Sequence, residues 1–186
     1  MNFSLPKSVT VDGESYPIRY DFRVILEIIV MLQDEELDGA DKAEALLTMF
    51  YVDRFPPDVN KAVEACFDFI DNSDRPKRKQ PRLTDWEQDF EYIIAPVNRV
   101  LGYETRAVEY DQETNTGGVH WWTFLSAYME IGGDCLYSQI VSIRDKQARK
   151  KKLEKSEREW LRRNGDLVRL KSRYTQTEED LIKEWT

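Results

Sequence analysis

The amino-acid sequence predicts a mainly α-helical protein, with an N-terminal β-hairpin, a multi-helix bundle and a basic C-terminal helical extension. Three observations carry this. Apolar residues alternate clearly in one place, between Ser8 and Tyr20 around Asp12-Gly13, as two short strands about a tight turn would. From Asp21 onward they recur at the i, i+3, i+4, i+7 spacing of a buried helical stripe. Charged residues make up 33% of the chain, more than an average globular domain carries, which suits long solvated helix faces.

The hairpin places Val9 and Val11 on one strand and Tyr16, Ile18 and Tyr20 on the other. Pro17 lacks an N–H and belongs on an edge. Asp21 caps a helix with the stripe Phe22, Ile25, Leu26, Ile29 and Leu32. Asp41 opens a second through Ala43, Leu46, Leu47, Phe50 and Tyr51, stopped by Pro56-Pro57, and Asp58 caps a third through Val59, Ala62, Val63, Cys66, Phe67 and Ile70. Short connections between them imply a small bundle. Residues 1–71 thus form an N-terminal part. Residues 72–82, with two prolines and five basic side chains, read as an exposed linker.

Residues 83–186 form a helical C-terminal part, with 83–152 compact and 153–186 an extended arm. Thr84 and Glu87 have the spacing of a capping box. The helix that follows carries Trp86, Phe90, Ile93, Ile94 and Val97, with a kink or break expected at Pro96 and an end at Gly102. Tyr103 to Gly118 is acidic and polar and reads as a loop. A helix over Val119–Ile131 follows, and after the Gly132-Gly133 turn another begins, capped by Asp134, with Leu136, Ile140, Ile143 and Ala148 inward. Beyond Leu153 the stripe thins to Trp160, Leu161, Leu167 and Leu170, interrupted by Asn164-Gly165. Thr177 to Trp185 is too short for a stable isolated helix, yet it keeps Leu181, Ile182 and Trp185 on one face. This pattern predicts an arm that orders on a neighbouring copy or another partner.

Composition excludes several function classes. No run reaches the roughly 18 to 20 apolar residues of a membrane span, and the first residues do not read as a signal region, so a soluble cytosolic protein is expected. Cys66 and Cys135 lie in apolar helical contexts and read as buried free thiols. With two thiols and one imidazole, no metal-ligand cluster and no cofactor is expected. The net charge of −8 argues against a dedicated nucleic-acid protein. That charge is unevenly spread: Arg144 to Arg163 holds ten Lys or Arg against four Asp or Glu, an excess of six, so the remainder carries −14. Glu154 with Arg158 and Glu159 with Arg163 stand at helical pairing distance, as on a solvated charged helix.

The single histidine, His120, adjoins Trp121-Trp122. A catalytic histidine needs an orienting group and a nucleophile or pocket. Here Trp121, Phe124, Leu125, Tyr128 and Met129 form a broad apolar stripe, which puts His120 at the first turn of a helix and makes it a packing residue. No phosphate-cradling glycine loop, dinucleotide fingerprint or nucleophile elbow occurs. Neither catalytic nor metal-ligating residues are assigned.

Taken together, the hairpin around Asp12-Gly13, Tyr16-Pro17-Ile18 leading into Asp21-Phe22-Arg23, His120-Trp121-Trp122-Thr123-Phe124, Gly132-Gly133-Asp134-Cys135 and Ile140-Val141-Ser142-Ile143-Arg144 leading into the Lys/Arg-rich stretch resemble the tail assembly chaperone family of siphophages and prophages of Gram-positive bacteria. The resemblance covers nearly the whole chain and is strongest from Val119 to Glu159. It implies a non-enzymatic protein of the host cell's cytoplasm, absent from the finished virion, whose partners are the tape measure protein, the major tail tube protein and further copies of itself. The partner-binding residues expected on this basis are Trp121, Trp122, Phe124, Tyr128, Arg144, Arg149, Lys150, Trp160, Leu181, Ile182 and Trp185. The runner-up reading is a nucleic-acid-binding regulatory protein using a basic helix over 144–163.

Overall fold

The computed structural model describes residues 4–72 and 81–171. Strands β1 (Ser8–Val11) and β2 (Glu14–Pro17) pair antiparallel, with Val9 opposite Tyr16 and Val11 opposite Glu14. Asp12 (φ 51°) and Gly13 (φ 83°) both occupy the left-handed region that a two-residue hairpin turn requires. Beyond β2, Ile18 bridges to Tyr51, and the Pro17 carbonyl accepts from the Val52 N–H at 3.1 Å.

Among the described residues eight α-helices follow, as the fold class predicts. Helix α1 (Phe22–Met31) is capped by Asp21, and α3 (Val59–Asp71) by Asp58, as expected. Helix α2 (Gly39–Phe50) begins earlier than Asp41: the Asp38 carboxylate accepts from Ala40 and Asp41 N–H groups at 2.7 and 2.9 Å, and Asp41 lies in the first turn. Its C-terminal carbonyls are collected by Arg19, whose guanidinium donates to Thr48, Met49, Tyr51 and Val52 oxygens. Helix α1 packs on α2 and α5, α2 on α3, and α3 on β1. Enclosure on several sides is why α1 buries Val24 and Ile28 beyond its predicted stripe.

Helix α4 (Trp86–Leu101) runs unbroken through Pro96. Its cap lies one residue later than Thr84/Glu87: Asp85 accepts from the Gln88 N–H, and Asp89 accepts from the Asp85 N–H, both at 2.9 Å. Thr84 instead meets the Tyr137 hydroxyl at 2.6 Å. The expected loop 103–118 contains a 3-10 turn (Thr105–Ala107) and a second small hairpin, β3 (Tyr110–Asp111) with β4 (Thr116–Gly117). Its order comes from side chains at both ends: Asn98 Oδ1 accepts from the Thr105 N–H and Oγ1, each at 2.9 Å, and Asn115 donates to the Ile18 carbonyl at 3.0 Å.

Helices α5 (Trp121–Met129) and α6 (Leu136–Ala148) flank the Gly132-Gly133 turn. Cys135 rather than Asp134 caps α6, its sulfur accepting from the Ser138 N–H at 3.4 Å. The inward face of α6 is Tyr137, Ile140, Ile143 and Arg144, whereas Leu136 and Ala148 are exposed. The basic stretch is not one helix. After α6, Lys150 turns into the left-handed region (φ 55°), and α7 (Lys155–Arg163) starts afresh under a Glu154/Glu157 capping box, so Glu154 caps rather than pairs with Arg158. A last short helix, α8 (Gly165–Val168), follows.

The chain divides into two compact units, one holding the N-terminal elements with 91–132, the other 80–90 with 133 onward. These do not follow the sequence-predicted parts, because the Val119–Phe124 segment packs among residues of the N-terminal elements. The expected linker 72–82 lies largely outside the described residues, as does the arm bearing Leu181, Ile182 and Trp185.

Candidate functional site

The His120-Trp121-Trp122 block runs antiparallel to Tyr20-Asp21-Phe22: the Phe22 N–H donates to the Val119 carbonyl at 2.9 Å and the Trp121 N–H to the Tyr20 carbonyl at 2.7 Å. Fully buried Asp21 accepts from the Arg23 N–H at 3.0 Å, from Arg23 Nε and Nη2 at 2.7 and 3.1 Å, and from the Val119 N–H at 2.7 Å. One carboxylate therefore caps α1 and anchors the entry to α5. A side chain at Gly118 (φ +74°) would run into that carboxylate, which explains the glycine there.

His120 is the N-cap of α5. Its Nδ1 accepts from the Trp122 N–H at 3.1 Å, so Nε2 carries the proton and donates to the Pro6 carbonyl at 2.8 Å. Burial lowers its pKa from the ordinary 6.5; the Pro6 bond acts in the opposite direction, and nearby Lys7 adds to the lowering. Tyr20 stacks on the ring at 5.3 Å. Both ring nitrogens are thus occupied by the backbone, and the imidazole stays neutral.

The two indoles serve the end of α3. Trp121 Nε1 donates to the Ile70 carbonyl at 2.8 Å and Trp122 Nε1 to the Phe69 carbonyl at 2.9 Å, meeting carbonyls that a helix C-terminus leaves unpaired. Trp122 stacks on Phe69 at 5.6 Å, and Phe124 lies parallel to Phe22 at 4.6 Å. The aromatic block is a clasp joining α1, α3 and α5.

The expected contact residues therefore divide. Trp121 and Phe124 are core side chains, and Trp122 and Tyr128 are half-buried. Arg149 and Lys150 are exposed, with Arg149 paired to Asp145 at 2.5 Å, and Trp160 is half-buried. Arg144 is no surface cation at all. It is 4% exposed and its five N–H donors are all engaged: Nε to the Val168 carbonyl (2.8 Å), Nη1 to the Leu83 carbonyl (2.9 Å) and Asp89 Oδ2 (2.6 Å), Nη2 to Asp89 Oδ1 (3.0 Å) and the Leu167 carbonyl (2.9 Å). Asp89, fully buried, is its fork-to-fork partner. This hub escaped the sequence reading, although a signal existed: Asp89 holds a stripe position between Trp86 and Ile93, and Arg144 one after Ile140.

Among the described residues no group of three or more His, Cys, Asp or Glu side chains could hold a metal ion, and no helix is long and apolar enough to cross a membrane. Cys66 is buried and its thiol pKa is raised by burial, whereas Cys135 is only partly covered, contrary to expectation.

A family model described as Bacteriophage Gp15 protein matches residues 1–170. The chain belongs to that bacteriophage family. No curated protein and no solved structure matches it. The match to the Gp15 family takes in both units as far as α8, and so includes the aromatic clasp and the Arg144–Asp89 hub.

Proposed function

We propose that this phage protein is a tail assembly chaperone, a non-enzymatic protein of the infected cell's cytoplasm that coats the tape measure protein, recruits tail tube subunits and leaves before the virion is complete. The observation that carries the non-enzymatic part is the state of His120. The motif best suited to supply a general base has both imidazole nitrogens committed to the Pro6 carbonyl and the Trp122 N–H. The tail role itself rests on the likeness of the His120–Phe124 and Ile140–Arg144 motifs to tail assembly chaperones, and membership of a bacteriophage family is consistent with it. The nucleic-acid reading loses support: the stretch 144–163 is split by Lys150, Arg144 is buried, and Arg149, Lys146 and Arg163 pair with Asp145, Glu157 and Glu159.

Co-expression with the long helical protein of the same phage's tail gene cluster tests the proposal. The tape measure protein should move into the soluble fraction and copurify with several copies of this chain. A tape measure protein equally insoluble with and without it would sink the reading.

A further inference from the structure

Arg144 and Gln88 grip the same piece of chain by its backbone. Arg144 donates to the Leu167 and Val168 carbonyls; the Gln88 amide donates to the Arg169 carbonyl at 2.8 Å and accepts from the Lys171 N–H at 2.9 Å. Between these contacts one side chain, Val168, is buried, and α8 packs on α6. This is how a groove holds an extended peptide: main-chain bonds supply the hold and a single pocket selects a residue.

Little else secures the segment. Among the described residues Val168 is the only buried one after Arg144, and α7 buries none. Residues 151–154 have no regular structure, and Lys150 before them is left-handed. The groove is built from Leu83, Gln88, Asp89 and Arg144, all upstream of this connection.

We propose that this groove is a peptide site which residues 167–171 fill in the same chain and which accepts the same segment from a second copy. The bonds made would be identical in either arrangement, so exchange sacrifices no contact, and local concentration decides between them. The inference does not depend on a role in tail assembly.

The test uses the full chain and a fluorescent peptide of residues Asn164–Lys171. In the Val168→Asp chain the chain's own segment no longer competes, so the peptide should bind roughly tenfold or more tightly than to the wild type. A peptide carrying the same substitution should not bind. If the Val168→Asp chain does not fold, Lys171→Pro, which removes the N–H that Gln88 accepts, replaces it with a gain of several-fold. Wild-type chain at high concentration should form a reversible dimer that excess peptide dissociates. Equal affinity for wild type and variant, or no binding to either, overturns the site. The absence of a dimer, or one indifferent to the peptide, overturns exchange between copies.

Discussion

The two units are stabilised by different means. Among the described residues the first buries twenty-four apolar side chains, including Trp121, Phe22, Phe50 and Phe124, and the second buries four: Tyr137, Ile140, Ile143 and Val168. At the centre of the second stands the Arg144–Asp89 pair, with Leu83, Leu167 and Val168 carbonyls around it. Apolar packing is non-directional and tolerates small shifts. A buried ion pair repays its desolvation only when every donor and acceptor is met, and so selects one arrangement of the segments that supply them. The first unit should therefore lose stability in proportion to volume removed, and the second should fail when a single partner is taken away.

The largest effect is expected in the first unit. Trp121→Ala removes a ring that is 2% exposed, which costs about 3–5 kcal/mol. It also leaves the Ile70 carbonyl without its donor, adding about 1–3 kcal/mol. Urea unfolding followed by far-UV circular dichroism measures this. A loss below about 1 kcal/mol would mean that the clasp is not the keystone of the unit.

Arg144→Met sharpens the contrast. Asp89 would stay buried without its partner, at a cost of about 3–5 kcal/mol, and hydrogen exchange should rise in α6, α8 and residues 83–89 while α1 to α3 keep their protection. Adding Asp89→Leu removes the orphaned charge and should restore part of the loss. Full recovery is not expected, because three carbonyls remain without the guanidinium. If both variants raise exchange uniformly through both units, the two do not unfold separately and the comparison fails.

The same contrast explains what could be read from the sequence. The hairpin turn at Asp12-Gly13 and the caps at Asp21 and Asp58 depend on residues adjacent in the chain, and local spacing reveals them. The caps of α2 and α4 fall at Asp38 and Asp85, three residues before Asp41 and one after Thr84, because neighbouring Asp and Thr side chains near a helix start are all competent caps. The ordered loop 103–118 depends on Asn115 bonding to Ile18 and Arg23 bonding to Val108 across long stretches of sequence, beside the nearer Asn98–Thr105 bonds. The hub was hidden for another reason. A periodic reading assigns Arg and Asp to solvent, and only opposite charges at stripe positions on two helices would have pointed inward. His120 as a structural boundary residue was legible; its clasp partners Pro6, Phe69 and Ile70 were not.

The smallest effect sits at that histidine. Its folded pKa is depressed, first by burial, so between the folded value and the ordinary 6.5 the unfolded chain binds more protons than the folded one. Stability at His120 is therefore complete above about pH 6.5 and declines as pH falls toward the folded pKa. Protonation would place an Nδ1–H against the Trp122 N–H that it now accepts. The charged group acting on the ring is Lys7, which opposes a second positive charge. Glu104, held at about 2 chiefly by hydrogen bonds from Arg106, has an ordinary value of 4.5 and contributes its pH dependence at more acid values. Above pH 7 wild type should exceed His120→Gln by about 0.5–2 kcal/mol, the worth of an N-cap. That gap should narrow as pH falls from 6.5 to 5, since the glutamine has no proton to gain. A gap that stays constant or widens over this range would mean that the neutral imidazole is not what caps α5.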